Sequence, residues 1–143
     1  SSDVCSSDLI ATICGIVESK NLTYFNAIIG DITFLHDLGS LKSFTNLSGN
    51  IKLFVLNDNQ GGIFNLLPLE LNHEARHIIT SPHHYNFKKL CEQFNLEHTE
   101  VTKIDHLKST LQMESQSPTL IEVKIDSIEN HKVYQHLKTM RIQ

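Results

Sequence analysis

Apolar residues along the chain fall into short continuous runs that alternate with stretches of helical spacing. The runs Ala27-Ile28-Ile29 and Ile51-Lys52-Leu53-Phe54-Val55-Leu56 are compact, rich in β-branched or bulky residues and stopped by polar ones, as strands are. Between them Phe34, Leu35, Leu38, Leu41 and Phe44 recur as on one helical face, so the unit is strand, helix, strand, which in one sheet predicts a parallel crossover. Ahead of it, Leu9, Ile10, Ile13, Ile16 and Val17 predict an amphipathic helix. Beyond it, residues 86–94 set Phe87, Leu90, Cys91 and Phe94 on one helical face, and residues 96–101 read as a strand. Thr102 with Asp105 resembles a capping box opening a helix that carries Ile104, Leu107 and Leu111. Leu120, Ile121, Val123 and Ile125 form the last strand, and Val133, Leu137 and Met140 the closing helix. Residues 61–85 fit neither period and read as an active-site loop with one short helix. The predicted class is α/β: a mostly parallel sheet with helices on both faces.

The ends of the first two strands carry the chemistry. Gly30-Asp31 closes one and Asn57-Asp58-Asn59 the other, with Asn57 standing 26 positions beyond Asp31. Parallel strands end on one edge, so if the two are close neighbours these residues meet where open α/β sheets bind ligands. Carboxylate and carbonyl oxygens there suit magnesium, which takes such ligands at about 2.1 Å in an octahedron completed by water or phosphate. Spacing alone leaves a plainer reading open, in which Gly30-Asp31 starts a helix and the Asn- and Gly-rich stretch is an ordinary turn.

Read through residue by residue, the two segments carry a resemblance. Ile29-Gly30-Asp31-Ile32-Thr33-Phe34-Leu35-His36-Asp37-Leu38 and Asn57-Asp58-Asn59-Gln60-Gly61-Gly62-Ile63-Phe64-Asn65-Leu66-Leu67-Pro68 resemble the thiamine-diphosphate motif of the 2-succinyl-5-enolpyruvyl-6-hydroxy-3-cyclohexene-1-carboxylate synthases of menaquinone biosynthesis. Ser81-Pro82-His83, where that family tends to have Thr-Pro-His, continues it. The resemblance implies a thiamine-diphosphate-binding, Rossmann-like C-terminal domain, Mg2+ or Mn2+ as the metal, and an enzyme that decarboxylates 2-oxoglutarate and adds the succinyl carbanion to isochorismate. It implies metal ligation by Asp31, Asp58 and the backbone carbonyl of Gln60. Gly30, Ile32 and Thr33 would approach the diphosphate, Gly61 and Gly62 would admit cofactor and substrate, and Ile63 and Phe64 would form an apolar floor. Two positions depart from the common pattern. Asp58 replaces a frequent Asn, with an oxygen at least as good for magnesium. Gln60 replaces a usual Gly, which would cost about 1 kcal/mol or more if the position needed positive φ.

The family's chains are several times longer, and their activating glutamate and substrate-holding arginines lie outside the stretch matched here. The expectation is therefore a fragment, inactive alone and with no catalytic residue of its own, from a parent that assembles as a homodimer or homotetramer. Residues 1–8 repeat Ser-Ser-Asp without helical or strand period and read as a non-native or disordered scar, leaving 9–143 as the domain.

Composition narrows the partners. Twelve basic and sixteen acidic residues, without a basic run, argue against nucleic acid, and no apolar stretch reaches membrane-spanning length, so a cytoplasmic location is the default. Cys5, Cys14 and Cys91 are too widely spaced for a zinc knuckle, and Cys14 and Cys91 fall on apolar helical faces as core residues. His73-Glu74-Ala75-Arg76-His77 does match the zinc-protease pattern, with His83 at a third-ligand distance. Thr80 stands where such enzymes turn on glycine, and Pro82 biases Ser81 toward extended backbone, so this reading is disfavoured. The residues also leave room for a different thiamine-diphosphate carboligase, of acetolactate synthase type, and for a Rossmann-like module that binds nothing productively. His84, His98, His106, His131 and His136 are read as surface residues.

Overall fold

The computed structural model describes residues 8–62 and 70–140. Most of the 1–8 segment, Cys5, Ile63 and Phe64 lie outside the described residues. A four-stranded parallel sheet runs in the order β1-β2-β4-β3, built from β1 (Tyr24–Gly30), β2 (Asn50–Asn57), β3 (Glu97–Val101) and β4 (Thr119–Lys124). Gly30 pairs in register with Leu56, and Asn57 with Lys124, so β1, β2 and β4 finish together on one edge.

One face of the sheet carries the main core, where Ile29, Leu53, Val55 and Leu120 meet α1 (Leu9–Ser19), α2 (Asp31–His36), α3 (Leu41–Phe44) and α5 (Phe87–Gln93). Cys14 and Cys91 are buried there as free thiols, and burial pushes them up to about 11 and about 12 respectively. On the other face, Phe54, Val101 and Ile121 pack with Leu107 of α6 (Ile104–Gln112). That cover stops short of β1, where Ile28 is 69% exposed. The apolar side of α7 (Ser127–Thr139), with Val133 and Leu137, is likewise exposed.

Two local expectations are corrected. The helical spacing over 34–44 predicts one helix, but the chain breaks into α2, a 3-10 turn at Leu38–Ser40, and α3. The break frees Asp37, whose Oδ2 accepts the amide N–H groups of Ile10 (2.7 Å) and Ala11 (3.1 Å) and so caps α1, for which Asp8 provides no side-chain cap. The capping box at Thr102 and Asp105 does not form: α6 starts after Lys103 with no side-chain cap bond. The other end of α6 is held instead. Buried Lys52 donates from Nζ to the carbonyls of Thr110 (2.9 Å), Leu111 (3.1 Å) and Met113, taking up the helix's last acceptors.

Candidate functional site

Asp31 begins α2 directly where β1 ends, and Asp58 follows β2, so adjacent strands deliver the two carboxylates to one edge. Gly30, Asp31, Ile32, Thr33, Asp58, Gln60, Gly61 and Gly62 all line one cleft of about 370 Å3, joined by Leu56, Ile125 and Asn130. Asp31 is 3% exposed, and its oxygens are well supplied with donors. Oδ1 accepts the Ile32 amide (2.7 Å), and Oδ2 accepts the Gln60 amide (3.1 Å). With its proton on Nε2, His83 donates to the same Oδ2 at 3.1 Å. The imidazole stacks on Phe87 at 5.8 Å between ring centroids.

Asp58 is less well served. Burial, then the charge of Asp31, pushes its carboxyl above the ordinary value, against the partial relief of backbone amides and His83. Two carboxylates set together in a half-buried cleft are a site whose charge a cation would relieve. The Gln60 carbonyl accepts the Gly62 N–H (2.9 Å), which leaves a second lone pair for a metal. No three His, Cys, Asp or Glu side chains gather as a metal cluster among the described residues, so a cation here would complete its shell from main-chain and external oxygens.

The turn is made without strain at Gln60. Asn59 takes the left-handed conformation, φ 62°, a role to which Asn is suited, and Gln60 has no positive φ, so the cost raised for it does not arise. At Gly62 an added Cβ would meet the Asp58 carboxylate, so a side chain there would displace that carboxylate from its present position. Gly30 has ordinary extended backbone (φ −83°, ψ 164°), and a Cβ added there would meet nothing within 4 Å. Neither conformation nor packing demands glycine there, and its open side faces the cleft. The residues present therefore fit a hard cation, with open space beside it at Gly30.

Helix α4 (His73–Thr80) holds the rival motif. His73, Glu74 and His77 are exposed on it, whereas His83 is turned inward onto Asp31. Ser81, expected to be extended, adopts a left-handed conformation (φ 44°), its N–H returning to the His77 carbonyl at 3.1 Å as a helix cap. The demand of the helix end outweighs the bias from Pro82. The reading of all remaining histidines as surface residues is also corrected. His98 is half-buried, its Nε2 lying 2.9 Å from Glu122 Oε2, and His131 is partly covered.

Glu122 is the centre of a second polar group at the same edge. Its Oε1 accepts from Asn57 Nδ2 (2.6 Å) and from Lys124 Nζ (2.8 Å). Burial pushes its carboxyl up, but hydrogen bonds from His98, Lys124 and Asn57 outweigh burial and hold it at about 2. His83 and Glu122 are the residues that sequence reasoning missed. His83 stood in the quoted Ser-Pro-His match without a role, and Glu122 was hidden in an apolar strand.

The chain is similar to known proteins in sequence and in fold. The family model described as thiamine pyrophosphate enzyme, C-terminal TPP binding domain, matches residues 11–123. Among curated relatives, proteins named 2-succinyl-5-enolpyruvyl-6-hydroxy-3-cyclohexene-1-carboxylate synthase are similar to the chain. The one from Psychromonas ingrahamii is 33% identical over 137 residues, covering 94% of this chain and 22% of its own. That from Mannheimia succiniciproducens is 30% identical over 131 residues, covering 90% of this chain and 23% of its own. The chain thus spans less than a quarter of the length of these relatives. Among solved structures, a thiamine diphosphate-dependent 4-hydroxybenzoylformate decarboxylase from Rhodococcus jostii RHA1 superposes with a TM-score of 0.62 at 21% identity, over 79% of this chain and 22% of that one. A benzoylformate decarboxylase from Polynucleobacter necessarius gives 0.62 at 13% identity, over 85% of this chain and 23% of that one, and both likenesses speak for the fold. The chain belongs to the thiamine pyrophosphate enzyme family, in the part that family describes as the C-terminal TPP binding domain.

Proposed function

We propose that this chain supplies the metal and diphosphate site of a 2-succinyl-5-enolpyruvyl-6-hydroxy-3-cyclohexene-1-carboxylate synthase, a carboligase acting on 2-oxoglutarate and isochorismate in menaquinone biosynthesis. The observation that carries this is the single cleft shared by Asp31, Asp58 and Gln60 beneath the open side of Gly30. Asp31 and Asp58 would hold Mg2+ or Mn2+ through carboxylates, and Gln60 through its carbonyl. Gly30, Ile32 and Thr33 would face the diphosphate. The Ile32 amide is already directed to Asp31 Oδ1, so its part would be to orient that carboxylate. Thiamine diphosphate, when bound, supplies the electron sink for loss of carbon dioxide from a 2-oxo acid. This chain's residues would hold the cofactor's charged end in place through the metal and the strand-end backbone. The similarity to synthases at 30–33% identity supports the choice of substrates over those of an acetolactate synthase.

In this reading, residues 9–143 are one domain of a longer, cytoplasmic, homo-oligomeric enzyme that supplies the activating carboxylate from elsewhere. No helix among the described residues is long and apolar enough to cross a membrane. The test is carbon dioxide release from 2-oxoglutarate, with isochorismate as acceptor, by a full-length enzyme carrying these residues and by the 143-residue chain. Turnover dependent on thiamine diphosphate and Mg2+ is expected from the first and none from the second. Turnover by the short chain alone would overturn the fragment reading, and a full-length enzyme that accepts only pyruvate would favour the acetolactate type.

A further inference from the structure

The Asn57 side chain is occupied on both sides. Its Nδ2 donates to Glu122 Oε1 at 2.6 Å, and its Oδ1 accepts the Asn59 amide at 2.9 Å, the bond that closes the turn carrying Asp58 and Gln60. Its backbone carbonyl accepts the Ile125 amide at 2.9 Å, joining the turn to the end of β4. Glu122 in turn is fixed by His98 from β3 (2.9 Å) and Lys124 from its own strand (2.8 Å). Asn57 is 1% exposed and Glu122 is 2% exposed, so water cannot replace these bonds.

We propose that Glu122 is a positioning residue for the metal-binding turn, acting through Asn57: it fixes the amide that folds Asn59 back and thereby sets where Asp58 and the Gln60 carbonyl stand. Glu122 touches none of the proposed metal ligands. A carboxylate in the middle of β4, between Ile121 and Val123, adds nothing to a strand core by its own burial; what it does is draw together partners from β2, β3 and β4. Outer partners of this kind decide metal affinity by holding ligands still. The inference rests on the reading of residues 57–60 as a metal loop, and its consequence for loop order can be measured without metal.

Three substitutions separate hydrogen bonding from charge. Glu122→Gln keeps an oxygen for Asn57 and Lys124 and offers its amide to His98, but removes the charge. Glu122→Asp keeps the charge and draws the oxygen back from Asn57. Glu122→Ala removes both. The readouts are Mn2+ affinity, from the resonance of free Mn2+, and hydrogen exchange of the Asn59 and Gln60 amides relative to those of the β1–β2 ladder. Glu122→Ala and Glu122→Asp are expected to weaken Mn2+ binding about 10- to 100-fold and to speed exchange selectively at Asn59 and Gln60. Glu122→Gln should stay within about threefold of the parent chain, since it keeps the oxygen that fixes the Asn57 amide. If Glu122→Ala does not fold, Glu122→Asp against Glu122→Gln decides. A Gln variant as weak as the Asp or Ala variant, or exchange that rises equally over sheet and turn, would overturn the proposal. A parent chain that takes up no Mn2+ would sink the metal reading, while the exchange pattern at Asn59 would still decide whether Glu122 orders the turn.

Discussion

Two carboxylate groups stand at the same sheet edge, one strand apart, and are driven in opposite directions. Glu122 is met by three side-chain donors and held at about 2, whereas Asp58, beside Asp31, is pushed above its ordinary value. Burial acts in the same sense on both, so the difference lies in the partners. Glu122 has His98, Lys124 and Asn57, whereas Asp58 has a like charge as neighbour and only amides and an imidazole to oppose it. A buried carboxylate with all its partners is structure; one that lacks them is a place where a cation belongs.

The largest test of this contrast is acid. The folded-state pKa of Glu122 is depressed from 4.5 to about 2, so its stabilisation is fully present above 4.5 and is lost as pH falls toward 2. The shift corresponds to stability on the order of 3 kcal/mol. Urea unfolding at stepped pH should show that loss between pH 4.5 and 2. In Glu122→Gln the slope should flatten over the same window, and an unaltered slope would mean that Glu122 is not the group responsible.

Metal comes next. Asp31→Asn removes a negative charge from the pair and should weaken Mn2+ binding roughly 10- to 100-fold, or about 1.4 to 2.7 kcal/mol. The same substitution should reduce the rise in melting temperature that a fixed concentration of Mn2+ gives the parent chain. An unchanged affinity would show that the two carboxylates share a cleft without sharing an ion.

A smaller effect of opposite sign is expected at Asp58. An acid whose folded pKa exceeds its unfolded one destabilises the fold once pH has risen above both, so the neutral Asp58→Asn should melt higher in metal-free buffer near pH 7. The gain should read as a rise of a few degrees in melting temperature. With Mn2+ added the order should reverse, because the parent chain then has its counter-charge and the variant has lost a ligand. Loss of stability without metal would show that Asp58 is already satisfied.

What the sequence disclosed, and what it hid, divides along the same line. The strands were legible because Ile28-Ile29 and Leu53-Phe54-Val55-Leu56 are local signals, and the site because strand ends in a parallel sheet meet by topology. The Glu122 group depends on register: Val55 lies opposite Glu122, so Asn57 two residues on reaches it, and no local pattern reveals that. Asp37 was hidden likewise, because the helix break that frees it answers the needs of α1, 26 residues earlier in sequence. His83 faces Asp31 only after α4 ends at a left-handed Ser81. For Gln60 the condition attached to its cost is not met, because the turn's positive φ falls one residue earlier, on Asn59.

The smallest expected change in stability is at Gly30, and there the contrast between structure and site is sharpest. Its backbone lies where any residue is allowed, and an added Cβ would meet nothing within 4 Å, so Gly30→Ala should fold as well as the parent or gain about 0.5 kcal/mol through a less flexible unfolded chain. If glycine is there to admit the diphosphate, the methyl group would occupy the ligand's space rather than the protein's. Binding of thiamine diphosphate with Mg2+, followed by calorimetry on a full-length enzyme carrying these residues, should then fall by about tenfold or more while the melting temperature of the free protein holds. Magnesium binding alone should be nearly unchanged, since Gly30 offers no side-chain oxygen. A Gly30→Ala enzyme that binds the cofactor as tightly as its parent would mean that the open space beneath residue 30 is not where the diphosphate sits.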